Sequence, residues 1–227
     1  HRARAELDRG ARTMTFPRPL GGVAFDLDGV LTDTARAHYR AWKRLADTLD
    51  IPFDEEANEA LKGVDRMGSL ALILGDRPGF DAERRDALAA RKNQWYLEEI
   101  ANFGPGDLFP GAREAVEACR AAGLAVALAS ASRNAPLLLH RLGIDDLFDV
   151  VVDPASVARG KPAPDIFLAA AAAVSVAPAE MLGVEDSAAG VTAIHDAGMP
   201  ALGIGPAGSL PEADRLIPSI GDFRLGD

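Results

Sequence analysis

Residues 23–31 read Val-Ala-Phe-Asp-Leu-Asp-Gly-Val-Leu, a short apolar run that meets two carboxylates, Asp26 and Asp28, and then a turn-making glycine. A strand tip of this kind holds two acids at one mouth. One can attack as a nucleophile or bind a metal, and the other can move protons. The same residues also suit plainer duties: Asp28-Gly29 makes a good hairpin turn, and Asp26 can be a buried, hydrogen-bonded acid. What favours chemistry is the rest of the chain, which supplies matching parts at three other strand ends.

Further continuously apolar runs follow at Leu124–Ala129, Val150–Val152, Met181–Val184 and Ala201–Ile204. With Val23–Leu27 they predict strands buried on both faces, separated by helices, which is the signature of a parallel sheet covered on both sides. Helices are predicted over Gly111–Ala122 and Pro136–Leu142, each followed by a glycine, and over Ala188–Ala197, closed by Gly198 and Pro200. The stretch Ile166–Val176 is mostly alanine and predicts a buried helix.

Between Asp33 and Phe103 the pattern is helical, without a convincing strand. Trp42, Leu45 and Leu49 fall on one helix face. Leu61, Leu70 and Leu74 are assigned to a second helix, and Leu88, Trp95 and Leu97 to a third with Asp81 as its N-cap. A helical block between the first two strands of an α/β sheet predicts an inserted cap. The expected organisation is a tail over 1–13, a core over 14–33 and 104–227, and a cap over 34–103. The two crossings fall near Thr32–Thr34 and Phe103–Asp107, where Gly104-Pro105-Gly106 is hinge-like.

The chain has 227 residues, 48% apolar and 26% charged, an ordinary composition for a globular protein with a sizeable core. A net charge of −10 argues against nucleic acid and against a polybasic membrane surface as partners. No apolar run approaches the roughly 18 residues of a membrane span. Cys119 is the only cysteine, so an internal disulfide is impossible and a reducing, cytoplasmic setting is expected. Residues 1–13 carry four arginines and no apolar core, so they are no secretory signal; they suit an appended tail or a stretch ahead of a start at Met14.

In a parallel α/β sheet, ligands bind beyond the carboxyl ends of the strands. The first strand brings Asp26 and Asp28 there. The second brings Ser130-Ala131-Ser132-Arg133-Asn134, whose hydroxyls, guanidinium and amide suit an anion or simply cap the next helix. After the third comes Lys161, in the rigid segment Gly160-Lys161-Pro162-Ala163-Pro164-Asp165; the fourth brings Glu185-Asp186, ligands or helix caps. Three or four carboxylates can hold a hard divalent cation, most naturally Mg²⁺. Lysine and serine can hold the other oxygens of a phosphoryl group. Phosphoryl transfer asks for little more than an in-line nucleophile and cations that neutralise developing charge.

Phe-Asp-Leu-Asp-Gly-Val-Leu-Thr-Asp, Ser-Ala-Ser, Lys-Pro-Ala-Pro-Asp and Glu-Asp-Ser-Ala-Ala-Gly, in this order, resemble the haloacid dehalogenase superfamily of phosphotransferases. The cap segments Thr-Ala-Arg-Ala-His-Tyr-Arg-Ala-Trp-Lys (34–43), Lys62-Gly63-Val64-Asp65-Arg66 and Arg91-Lys92-Asn93 are similar to the β-phosphoglucomutase family within it. The resemblance implies a Rossmann-like parallel sheet with an inserted helical cap, and a monomer that interconverts β-D-glucose 1-phosphate and glucose 6-phosphate. It also implies roles. Asp26 would be the phosphorylated nucleophile and a Mg²⁺ ligand, and Asp28 the general acid and base with its main-chain carbonyl on the metal. Glu185 and Asp186 would complete the metal site, and Ser130 and Lys161 would hold the phosphoryl group in transfer. Arg66, Ser132, Arg133 and Asn134 would hold the second phosphate. Thr34, His38, Trp42, Gly63, Lys92 and Ala131 would line the sugar and the hinge. Arg133 departs from the lysine common in the family, keeping charge but changing geometry. His195 matches no role and is expected to be a solvated helix residue. Two other readings remain open: a sugar-phosphate or phosphoglycolate-like phosphatase on the same core, and a non-catalytic phosphosugar binder, against which both aspartates speak.

Overall fold

The computed structural model describes residues 19–226; the expected tail, Met14 and the last residue lie outside the described residues. Five short apolar runs do become strands: β1 (Gly22–Phe25), β2 (Ala125–Leu128), β3 (Val150–Val151), β4 (Met181–Glu185) and β5 (Ala201–Ile204). A sixth, β6 (Arg215–Ile217), joins them at the edge and has no counterpart in the predicted set. The order is β3-β2-β1-β4-β5-β6, every pair parallel. Strand β1 is central and wholly buried, which is why its run is continuously apolar rather than alternating. Its side chains still alternate between the two layers. Val23 and Phe25 join one apolar cluster, and Ala24 joins the other with Phe167 and Ile194.

The parallel connections rule out a hairpin at Asp28-Gly29. Register then fixes what meets at the sheet's carboxyl edge. Phe25 lies level with Leu128 and with Val184, and the Asp26 amide donates to the Val184 carbonyl at 3.0 Å. The next residues in line, Asp26, Ala129 and Glu185, therefore lie side by side, and Ser130 follows one position beyond Ala129.

The helices flanking the sheet are α5 (Ala112–Ala121), α6 (Ala135–Leu142), α7 (Asp165–Ala173) and α8 (Ala188–Asp196). The helical insertion holds α1 (Ala35–Thr48), α2 (Glu55–Glu59), α3 (Arg66–Leu74) and α4 (Ala82–Glu99), four helices where three were expected. The expected second helix divides because Asp65 caps a new one, its carboxylate accepting from the Gly68 amide at 2.7 Å; Leu61 sits in the turn before it. Asp81 caps α4 as the sequence predicts, accepting from the Arg84 amide at 2.8 Å. The cap has its own core of Trp42, Leu45, Leu70, Ile73, Leu74 and Ala89. Each large side chain buried there contributes about 2 kcal/mol.

One helix faces differently from its pattern. Leu88, Trp95 and Leu97 are only partly buried; the buried positions of α4 are Ala89, Lys92 and Tyr96. The buried stripe is shifted by one residue and carries a lysine. The two crossings form a paired neck: Thr32 Oγ1 donates to the Asp107 carbonyl at 2.6 Å, and the Phe109 amide donates to the Leu31 carbonyl at 2.8 Å. His195 is exposed on α8, as expected, and it also has a partner. Its Nε2 lies 2.9 Å from Asp214, which also accepts from the Ala201 amide and so ties α8 to the segment before β6.

Candidate active site

At the tip of β1, Asp26 is buried and its Oδ1 lies 3.2 Å from the Lys161 ammonium, which also donates to Glu185 at 2.5 Å. Lys161 reaches this point from the loop before α7, its ammonium over the Phe167 ring. Burial and the neighbouring Glu185 push the Asp26 carboxyl well up, against the pull of Lys161. The two carboxylates in turn raise the Lys161 ammonium above its ordinary value despite its burial. Asp186 is pushed up to about 7 by burial and by Glu185, with Lys62 pulling the other way.

Asp26, Glu185 and Asp186 offer oxygens within 4.8 Å of one another and could hold a metal ion. Three crowded carboxylates against a single buried ammonium suit a hard divalent cation. The second oxygen of Glu185 is taken by the Asp186 and Ser187 amides and the Ser187 hydroxyl, which orients the group. Ser187, not Glu185 or Asp186, caps α8, accepting from the Gly190 amide. Gly29, at φ +80°, and Gly190 leave room for the carboxylates: a Cβ on the first would strike Asp186 and on the second Glu185.

Asp28 stands outside that triad. Its Oδ1 accepts from the Thr34 hydroxyl, and its Oδ2 lies 3.7 Å from His38 Nε2. Burial alone would raise its carboxyl, but the imidazole facing it and the Thr34 hydroxyl outweigh that and hold it below the ordinary value. His38 is stacked on Tyr96 and receives Lys92 at Nδ1, 2.9 Å away. Lys92 donates, so Nδ1 accepts and the ring proton sits on Nε2, toward Asp28. Lys92 is 3% exposed, enclosed by the Trp42 and Tyr96 rings. Burial and the Arg66 charge bring it down to about 7.

A cavity of about 130 Å³ lies between cap and core. Asp26, Asp28, Thr34, His38, Trp42, Gly63, Arg66 and Lys92 line it, with Ala131, Ser132, Arg133, Asn134 and Asp186. Ser130 and Lys161 are buried just behind the wall, and the Ser130 hydroxyl accepts from the Ser132 amide. Arg66 feels the charge of Arg133, which together with burial lowers its guanidinium. The cap is closed over this space. Lys62 pairs with Asp186 at 3.2 Å, and Gly63 rests so closely on Ser187 that a Cβ would collide with its hydroxyl. The sequence alone points to no role for Lys62, Asn93 or Ser187. The partners of Lys62 and Asn93 lie on other elements, and only the long-range fold brings them together.

This arrangement has close relatives. A sequence profile of haloacid dehalogenase-like hydrolases matches residues 20–198. The chain belongs to that family. Its similarity extends to a β-phosphoglucomutase of Bacillus subtilis, 44% identical over 89% of this chain and 91% of that one. A phosphorylated carbohydrates phosphatase of Thermotoga maritima is 32% identical over 78% of this chain and 81% of its own. Among solved structures, a β-phosphoglucomutase from Clostridium difficile superposes with a TM-score of 0.88 at 36% identity, covering 91% and 94% of the two chains. The family's parallel core and inserted cap are those described above. Among the described residues no helix is long and apolar enough to cross a membrane.

Proposed function

We propose that this chain is a β-phosphoglucomutase, interconverting β-D-glucose 1-phosphate and glucose 6-phosphate through a glucose bisphosphate, and that it works as a cytoplasmic monomer. The carrying observation is that two separate cationic sites flank one cavity between cap and core. Lys161 is bonded to Asp26 at the strand tips, while Arg66 and Arg133 stand together where cap meets core. A phosphatase needs only the first. A mutase must grip whichever phosphate is not reacting, so it needs both.

In this reading Asp26 carries the phosphoryl group. The sugar's C6 hydroxyl attacks the phosphorus, its proton passes to Asp28, and the bond from phosphorus to Asp26 breaks, giving the bisphosphate. After the bisphosphate turns over, Asp26 attacks the phosphorus on O1, the bond to O1 breaks, and Asp28 returns the proton to that oxygen. Asp28 is suited to the first step because its carboxyl is held low and ionised. Lys161 and Ser130 hold the moving phosphoryl, and Arg66, Ser132, Arg133 and Asn134 hold the resting phosphate. Lys92, His38, Trp42, Thr34, Gly63 and Ala131 surround the sugar. Asp26, Glu185 and Asp186, with the Asp28 main-chain carbonyl, would hold Mg²⁺, which when bound neutralises charge on the transferring oxygens. The closed cap excludes water, to which an aspartyl phosphate is vulnerable.

The same core supports a sugar-phosphate phosphatase, a reading favoured by the Thermotoga relative. Arg66→Ala separates the two. A charge-assisted contact is worth roughly 1.5–3 kcal/mol, so its loss slows isomerisation by about 10- to 100-fold. Transfer from acetyl phosphate, which has no second phosphate, is expected to hold. Equal loss in both reactions would make Arg66 structural, and no loss in either would put the phosphatase ahead.

A further inference from the structure

The Asn93 side chain makes two hydrogen bonds through a single atom. Its Oδ1 accepts from Arg66 Nη2 at 2.8 Å and from Asn134 Nδ2 at 2.8 Å. Arg66 can only donate, which fixes the amide orientation of Asn93 and then that of Asn134. Arg66 and Asn134 line the cavity, whereas Asn93 does not: it stands behind them on α4. Arg66 and Asn93 belong to the cap, and Asn134 to the core loop ahead of α6. One oxygen therefore joins the two halves of the molecule at the place where the two arginine charges meet.

Nothing else on the cap bonds Arg66 among the described hydrogen bonds, so without Asn93 a long, flexible side chain beside a like charge would swing away from Arg133. We infer that Asn93 is a positioning residue that sets Arg66 and Asn134 for the non-reacting phosphate, and that it does so only when the cap is shut. The Asn93–Asn134 bond crosses from cap to core, so it is made on closure and lost on opening. Assembly of the second anion site is thereby coupled to exclusion of water. This rests on the mutase reading of the cavity.

The test uses the whole chain with Asn93→Leu, which keeps the volume and removes the acceptor, and Asn93→Asp, which keeps an accepting oxygen. With Leu, the KM for β-glucose 1-phosphate is expected to rise by roughly 10-fold or more, the loss of two hydrogen bonds to charged or amide donors. The kcat for acetyl phosphate hydrolysis and the melting temperature should stay as in the native chain. With Asp, the amide-exchange protection of segments 64–68 and 131–135, lost in Leu, should return, because the cap–core link is restored. An unchanged KM in Leu, or equal losses on both substrates with a lower melting temperature, would overturn the inference. So would failure of Asp to restore protection. If the native chain does not isomerise glucose phosphates at all, the mutase reading has failed instead, and that is visible before any variant is made.

Discussion

Lys92 shows how much a single position can hide. Its place in a helix full of charged residues suggests solvent, yet it is shut among Trp42, Tyr96 and His38. Its ammonium titrates near 7 in the folded chain against an ordinary value of 10.5. Below pH 7 both folded and unfolded chains carry the charge, and the folded one bears the full cost of burying it. Between 7 and 10.5 the unfolded chain binds a proton that the folded chain lacks, so this residue's contribution to stability rises with pH. Lys92→Met should therefore stabilise the chain at pH 6 by about 2–4 kcal/mol, with the gain shrinking by pH 9.5. Denaturant midpoints at the two pH values measure it, and an equal gain at both would refute the burial argument. Other residues were legible without the fold. Asp26, Asp28 and Glu185-Asp186 follow short apolar runs, and a parallel sheet delivers such positions to one edge, while Lys161 stands out by the two prolines that rigidify its loop. Lys62 and Asn93 were not, because a lysine in a turn and an asparagine on a polar helix carry no local sign of what they touch across a closed interface.

Among the elements, the buried strands read clearly because burial on both faces leaves an uninterrupted apolar run. Strand β6 escaped because it is three residues long, lies at an edge, and begins with a half-buried arginine. The cap helices were legible as helices but not in their division or facing, since Asp65 doubles as a motif residue and a helix cap. The turn after β1 combines local and distant demands. Gly29 sits at φ +80°, and the space a Cβ would take is filled by the Asp186 carboxylate. Gly29→Ala is expected to cost about 1–2 kcal/mol from backbone conformation alone and to push Asp186 out of line with Asp26 and Glu185. Its signature is a folded chain, slightly less stable, whose thermal midpoint no longer responds to Mg²⁺. An alanine variant that still responds like the native chain would show that this close approach does not govern the carboxylate cluster.

Taken whole, the molecule is a sheet that gathers acids at one edge and a cap that closes cations over them. Crowded carboxylates with raised proton affinity should favour a divalent cation strongly, so Mg²⁺ at a hundredfold excess over its Kd should stabilise the chain by about 2.7 kcal/mol. For a chain of this size that is a rise of about 5–10 °C in Tm, reversed by chelator and absent in Asp186→Ala. Because Asp186 titrates at about 7, binding near that pH should release protons, read by calorimetry in two buffers of different ionisation enthalpy. No Tm response to Mg²⁺ would count against the metal site. The native chain, given β-glucose 1-phosphate, Mg²⁺ and a trace of glucose bisphosphate, can be followed for glucose 6-phosphate and free phosphate together. A cavity with two anion sites and a closed cap predicts that glucose 6-phosphate accumulates with only traces of free phosphate. Stoichiometric free phosphate without glucose 6-phosphate would contradict it.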